Sequence, residues 1–310
     1  MNPKWLTIYA AIIAFNAVLF STGVTMAQSH REAYQTLEFS DIVIHHPDAL
    51  RSAAQGLHSV YAQLRGELEQ LTGWPVRFRP IVVLVGSRSR FRQIAGDDRI
   101  EAFARPHDQV IVIDYSRLAG RPIHMATTFK HELMHLLLHH HITYVALPKW
   151  LNEGLAQWAS GGVAEVLVRP RKSLIGDALR NDRLPSLREL ENRFPNDSLQ
   201  FSLAYEISLS IVTYIEENFG REAIITILGF LKNGSTVEQA VQDTLGISLA
   251  ELELDWRQSL KKRENWLTFL AVHIYEFLFL MGALLTMTGF LRYWIKKKNY
   301  RDDPEDEDWE

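Results

Sequence analysis

Cysteine is missing from all 310 residues, so disulfides and cysteine-based metal sites are excluded and no redox compartment can be read from thiols. A surplus of positive charge is missing as well: the formal net charge is −4, which leaves no electrostatic footprint for nucleic acid. No internal repeat is visible. What remains is 47% hydrophobic and 23% charged, enough to bury a sizeable core in one large domain or two smaller ones.

Against that background one stretch stands out, His131-Glu132-Leu133-Met134-His135, followed by Trp150-Leu151-Asn152-Glu153-Gly154. Residues four apart on a helix share a face, so His131 and His135 project together and can hold a divalent zinc ion. Glu132, next to the first histidine, points beside such an ion, where it can take a proton from an activated water. The site needs a third protein ligand and an open fourth position. Glu153 is the candidate. The flanking segments Ile123–Lys130 and Leu136–Leu138 make a helix apolar enough to be buried, and a buried, unpaired carboxylate is costly, so the motif has no cheap structural explanation. A second helix starting near Pro148 delivers Glu153.

The motif His-Glu-Leu-Met-His, the seventeen residues between His135 and Glu153, and the segment Trp150–Trp158 together resemble the gluzincin metallopeptidases, in particular the peptidase MA-like domains. The resemblance implies an α+β zincin fold with a small mixed sheet, an active-site helix and a C-terminal helical lobe. It implies Zn2+ on His131, His135 and Glu153, Glu132 as general base, and peptide-bond hydrolysis by metal-activated water. In such proteins a tyrosine on a helix after the glutamate ligand is placed to stabilise the oxyanion, and Tyr205 matches that placement; Tyr144 is a weaker candidate. An extended substrate pairs there with a strand beside the active-site helix, and Gln109–Tyr115 or Pro80–Val85 are the candidates. Two departures matter. No Gly-x-Met-Glu-Asn segment is present, which argues against an aminopeptidase and for an endopeptidase. Gln157 stands four residues after Glu153, where thermolysin-like enzymes have an aspartate that orients a ligand histidine.

A rival third ligand is His141, which falls at the last position of the metzincin pattern. That pattern needs a glycine where this chain has Leu138, and a Met turn, yet no methionine occurs between Met134 and Met281. His139, His140 and His141 read instead as the solvated end of the helix, suited to its dipole. A second reading of the whole chain is a zinc-bearing, non-catalytic interaction protein, with His139 or His141 closing a four-ligand site.

Two apolar stretches flank this region. Trp5–Ala27 is 23 residues long with Asn16 its one strongly polar member, and reads as a retained anchor or as a signal peptide with Thr25-Met26-Ala27 at the cleavage site. The second, Trp266–Ile295, has aromatic residues at its borders and Lys296-Lys297-Lys298 directly after it. The basic cluster places the C-terminal tail in the cytoplasm and the catalytic region outside, although Lys261-Lys262-Arg263 votes the other way. His273 and Glu276, one turn apart in this span, lie near its outer end, where side chains can reach water. The expected organisation is an anchor or signal (1–28), a zincin subdomain (29–160), a helical lobe (161–263), a membrane span (264–296) and an acidic tail (297–310). Expected partners are a protein or peptide substrate and the lipid bilayer.

Between the motifs the patterns predict a strand over Leu37–Ile44 with a turn at His45–Asp48, a helix over Ala49–Leu71, and a buried strand over Pro80–Val85. They continue with a short helix over Ser87–Ile94, a loop over Ala95–Asp108 and a strand over Gln109–Tyr115. Beyond Ser160 the chain reads as loop and then helices: Phe201–Phe219, Glu222–Leu231, Ser235–Leu245 with a Ser235/Glu238 capping box, and a last helix opened by Ser248 and Glu251.

Overall fold

Two runs with no polar interior, Ile81–Val85 (β3) and Val110–Asp114 (β5), lie side by side and parallel at the centre of a five-stranded sheet. They can be apolar throughout because both faces of the sheet are covered. On one face Val83, Val85, Val110 and Val112 pack with Phe91 of the helix Arg88–Ala95 (α2). The alternate residues Val82, Leu84, Ile111 and Ile113 are buried on the other face. There α1 (Arg51–Thr72) packs on the sheet and on α4 (Pro122–His141), and α4 lies across the sheet edge next to β5. The structure, a computed structural model, describes residues 33–162, 173–272 and 274–301.

The strand expected over Leu37–Ile44 is in fact two. Tyr34–Glu38 (β1) and Val43–Pro47 (β2) pair antiparallel, and Phe39 N–H donates to the Ile42 carbonyl across the turn. His45-His46-Pro47, expected as a turn, belong to β2. The apolar and β-branched residues on either side of Ser40-Asp41 hid the break, although Asp41 is a turn former. α1 buries Ala54, Leu57, Tyr61, Leu64 and Leu68 along one face and ends at Gly73, whose φ of 70° a side chain would resist.

The sheet order is β1-β2-β3-β5-β4. Its parallel centre carries an antiparallel strand on each side, β1 on β2 and Ala102–Arg105 (β4) on β5. This corrects the substrate-strand expectation: neither Gln109–Tyr115 nor Pro80–Val85 is an edge. The edge beside α4 is β4, which lies inside the segment read as a loop. Ala-Phe-Ala-Arg has too little β-propensity to announce itself and becomes a strand by pairing, Phe103 opposite Val112 and Ala104 opposite Ile111. A short helix, Tyr115–Leu118 (α3), leads from β5 towards α4.

Past the sheet come Lys149–Ala159 (α5), Leu174–Arg180 (α6), Ser198–Phe219 (α7), Arg221–Lys232 (α8) and Val237–Leu245 (α9). α5 packs extensively on α7, and less so on α4. The crossing with α7 depends on Gly154: a Cβ there would stand 2.2 Å from the Ser208 carbonyl oxygen and 2.8 Å from Val212 Cγ2. The capping box of α9 is one residue later than expected. Thr236 accepts from Gln239 N–H and Gln239 returns to Thr236 N–H, whereas Ser235 and Glu238 stand outside the box. The Ser248/Glu251 box is present as expected and opens Leu249–Val272 (α10).

The described residues up to Leu254 form one compact unit and those from Asp255 a second. The second includes Ile274–Arg301 (α11), within which Tyr275–Lys297 is long and apolar enough to cross a membrane, with mean hydropathy 1.4 and none of it buried. The first expected span, Trp5–Ala27, and His273 lie outside the described residues; Glu276 is on α11.

Candidate metal centre

α4 carries His131, Glu132 and His135 on a stretch from Phe129 to Leu138 in which all but Lys130 are buried. The surrounding apolar residues place the two imidazoles out of water, where neutral rings and an anionic partner need a compensating charge. Glu153 supplies the anion. It is buried on the second turn of α5, whose N-cap is Pro148.

The three donor atoms form a near-equilateral triangle. His131 Nε2 and His135 Nε2 are 3.2 Å apart, and Glu153 Oε2 stands 3.6 Å from the first and 3.5 Å from the second. Ligands held about 2.0–2.1 Å from a tetrahedral zinc stand about 3.3–3.4 Å from one another. The donor set therefore fits zinc in both chemistry and spacing. Burial alone would push the Glu153 carboxyl up, but His135 and His131 outweigh it and hold the group well below the usual carboxylate range. Glu153 Oε2 receives no hydrogen bond although it is buried, and its nearest polar neighbours are the two ring nitrogens. Among the described residues this is the one group of three or more acidic, histidine or cysteine side chains gathered for a metal.

The expected ligands His131, His135 and Glu153 are thus brought together, with Glu132 between the histidines in sequence and fully buried. Asn152 touches this group, a contact that the sequence analysis missed. Its Oδ1 lies 3.0 Å from His135 Nδ1, so that nitrogen donates and Nε2 keeps its lone pair for the metal. The signal was its place directly before Glu153. Gln157 does something else: its Nε2 donates to the Tyr205 carbonyl at 2.9 Å and to the Glu153 carbonyl at 3.3 Å, joining α7 to the ligand turn of α5.

His141 is not part of the group. It lies at the end of α4 against Trp74, its Nε2 3.0 Å from the Pro75 carbonyl, which removes the metzincin alternative. His139 meets His107 edge-on and His140 packs near Phe78. Tyr205 is buried on α7, its ring 5.0 Å from that of Phe201 and 5.2 Å from that of Phe194. Tyr144 is largely exposed on the loop between α4 and α5.

The match to known families starts at β5 and runs to the far side of the helices just described: residues 110–262 match the family model of the peptidase MA superfamily. This segment belongs to that superfamily. No curated protein matches the chain. The domain is metallopeptidase-like, and the matched region contains both ligand helices, α4 and α5.

Proposed function

We propose that this protein is a membrane-anchored, zinc-dependent endopeptidase of gluzincin type. The observation that carries the reading is the triangle of His131, His135 and Glu153 at zinc-ligand spacing, with the buried Glu132 next to His131 in sequence. Zinc bound there supplies a Lewis acid and brings the pKa of its water to about 7. Glu132 accepts the proton of the attacking water and passes it to the leaving amine. Asn152 holds His135 in the tautomer that offers Nε2. Tyr205 is proposed to donate to the oxyanion that develops on the attacked carbonyl. The edge strand β4 is proposed to pair with an extended peptide through its free backbone groups.

Tyr275–Lys297 supports anchoring in a bilayer, and Lys296–Lys298 favour a cytoplasmic tail with the peptidase domain on the other side. The non-catalytic alternative requires a fourth side-chain ligand, and His139 and His141 are engaged with His107 and Pro75 instead. The test compares zinc content and β-casein cleavage in wild type, Glu153→Ala and Glu132→Gln. Glu153→Ala is expected to lose most of the zinc, and Glu132→Gln to keep it while losing hydrolysis. A fully active Glu132→Gln would sink the mechanism.

A further inference from the structure

The segment that leads into β4 is held from two sides by arginines. From α2, Arg88 reaches the Ile100 carbonyl at 2.8 Å and the buried Asp114 carboxylate at 2.9 Å, and it also donates to the Asp98 carbonyl. This ties the segment to the sheet. Arg99 leaves in the other direction. Asp97 fixes its guanidinium, with Nη2 2.6 Å from Oδ2 and Nε 2.9 Å from Oδ1. Its Nη1 donates to the Asn196 carbonyl at 2.7 Å and more weakly to Pro195 at 3.3 Å, in the turn before α7. Its planar face lies 3.9 Å above the Phe201 ring. Phe201 in turn packs on Tyr205, with the two ring centres 5.0 Å apart. The Tyr205 carbonyl accepts from Gln157, one turn after Glu153.

These contacts form one path: edge strand, Arg99, Phe201, Tyr205, Gln157, ligand turn of α5. We propose that Arg99 is a positioning residue, which holds the substrate-pairing strand β4 and the Tyr205-bearing helix α7 in a single register around the metal centre. The inference rests on the peptidase reading given above. Arginine suits the task because one rigid planar group meets a carboxylate, two carbonyls and an aromatic face at once; lysine, a point charge on a flexible stem, cannot. The Phe201 ring carries this hold from Arg99 to the Tyr205 ring, so removing Arg99 acts on catalysis through Tyr205 and not through the ligands.

The experiment uses the full-length protein in detergent micelles with β-casein as probe. Wild type, Arg99→Ala, Arg99→Lys, Tyr205→Phe and the double variant Arg99→Ala/Tyr205→Phe are compared for zinc content, melting temperature, kcat and KM. Amide hydrogen exchange is followed over residues 100–105 and 195–205. Zinc stays stoichiometric in every variant. Arg99→Ala and Tyr205→Phe each lower kcat at least tenfold, the double variant is no slower than the slower single, and Arg99→Lys does not rescue. Exchange in both segments rises at least tenfold in Arg99→Ala. Additive losses in the double variant, rescue by lysine, or unchanged exchange overturn the proposal. Equal inactivity of wild type and Glu132→Gln would instead defeat the peptidase reading, and the exchange arm would then decide the role of Arg99 alone.

Discussion

An imidazole serves a metal through one nitrogen only if the other is held as a donor. For His135 that task falls to Asn152, 3.0 Å from Nδ1. Asn152→Ala is expected to weaken zinc binding about tenfold to a hundredfold, the usual cost of losing such a partner, measured by competition with a chromophoric chelator. Unchanged affinity would show that the tautomer is set by other means. A second single-residue prediction concerns Tyr61, buried on α1 beside Phe129 of α4. Burial, then the nearby Asp41, pushes its hydroxyl up to about 12 from an ordinary 10. Between those values the folded protein keeps a proton that the unfolded chain has released, so stability falls as pH rises through this window. Tyr61→Phe is expected to flatten the alkaline limb of a stability profile between pH 10 and 12, and an identical limb would refute the assignment.

Helices α5 and α7 approach so closely at Gly154 that no side chain fits. Gly154→Ala must push the Ser208 carbonyl away, and overpacking of this kind costs about 1–3 kcal/mol. Because Glu153 is the preceding residue, zinc affinity is expected to fall as well, a coupled loss that urea titration with and without zinc would reveal. Gly56 on α1 provides the contrast, since nothing lies within 4 Å of its added Cβ. Gly56→Ala is expected to stabilise by about 0.5–1 kcal/mol through helix propensity alone. Equal effects at the two sites would mean that the α5–α7 crossing is looser than the backbone distances imply.

The proposed metal ligands come from two helices separated by the Ile142–Pro148 connection, so zinc held by them would link α4 to α5 and stabilise the domain as a whole. Free zinc at 100 times its dissociation constant contributes about 2.7 kcal/mol, and chelation is expected to lower the melting temperature correspondingly. The lack of cysteine makes the topology directly testable. A single Ser235→Cys is expected to react with an impermeant maleimide on intact cells, and a single Asp308→Cys only after permeabilisation. The reverse pattern would invert the proposed orientation.

Much of this molecule was legible in the sequence because it depends on short-range periodicity. The common face of His131 and His135 follows from 3.6 residues per turn. The buried strands Ile81–Val85 and Val110–Asp114 follow from uninterrupted apolar runs, and the bounds of α1 from its apolar stripe and Gly73. Local patterns also pointed to the Ser248/Glu251 cap, yet they misplaced the neighbouring cap by one residue, because Ser235/Glu238 and Thr236/Gln239 satisfy the same spacing. Tertiary structure decided the rest. Whether a strand is central or an edge depends on pairing partners, so β4, weak in propensity, takes the edge for which β3 and β5 are the candidates by sequence. Asn152 meets His135, Gln157 turns to Tyr205, and Arg99 reaches Phe201 only once distant segments are packed. Helical phase and apolar runs are properties of adjacent residues, whereas strand order and side-chain partners across elements are set by how those elements share one core.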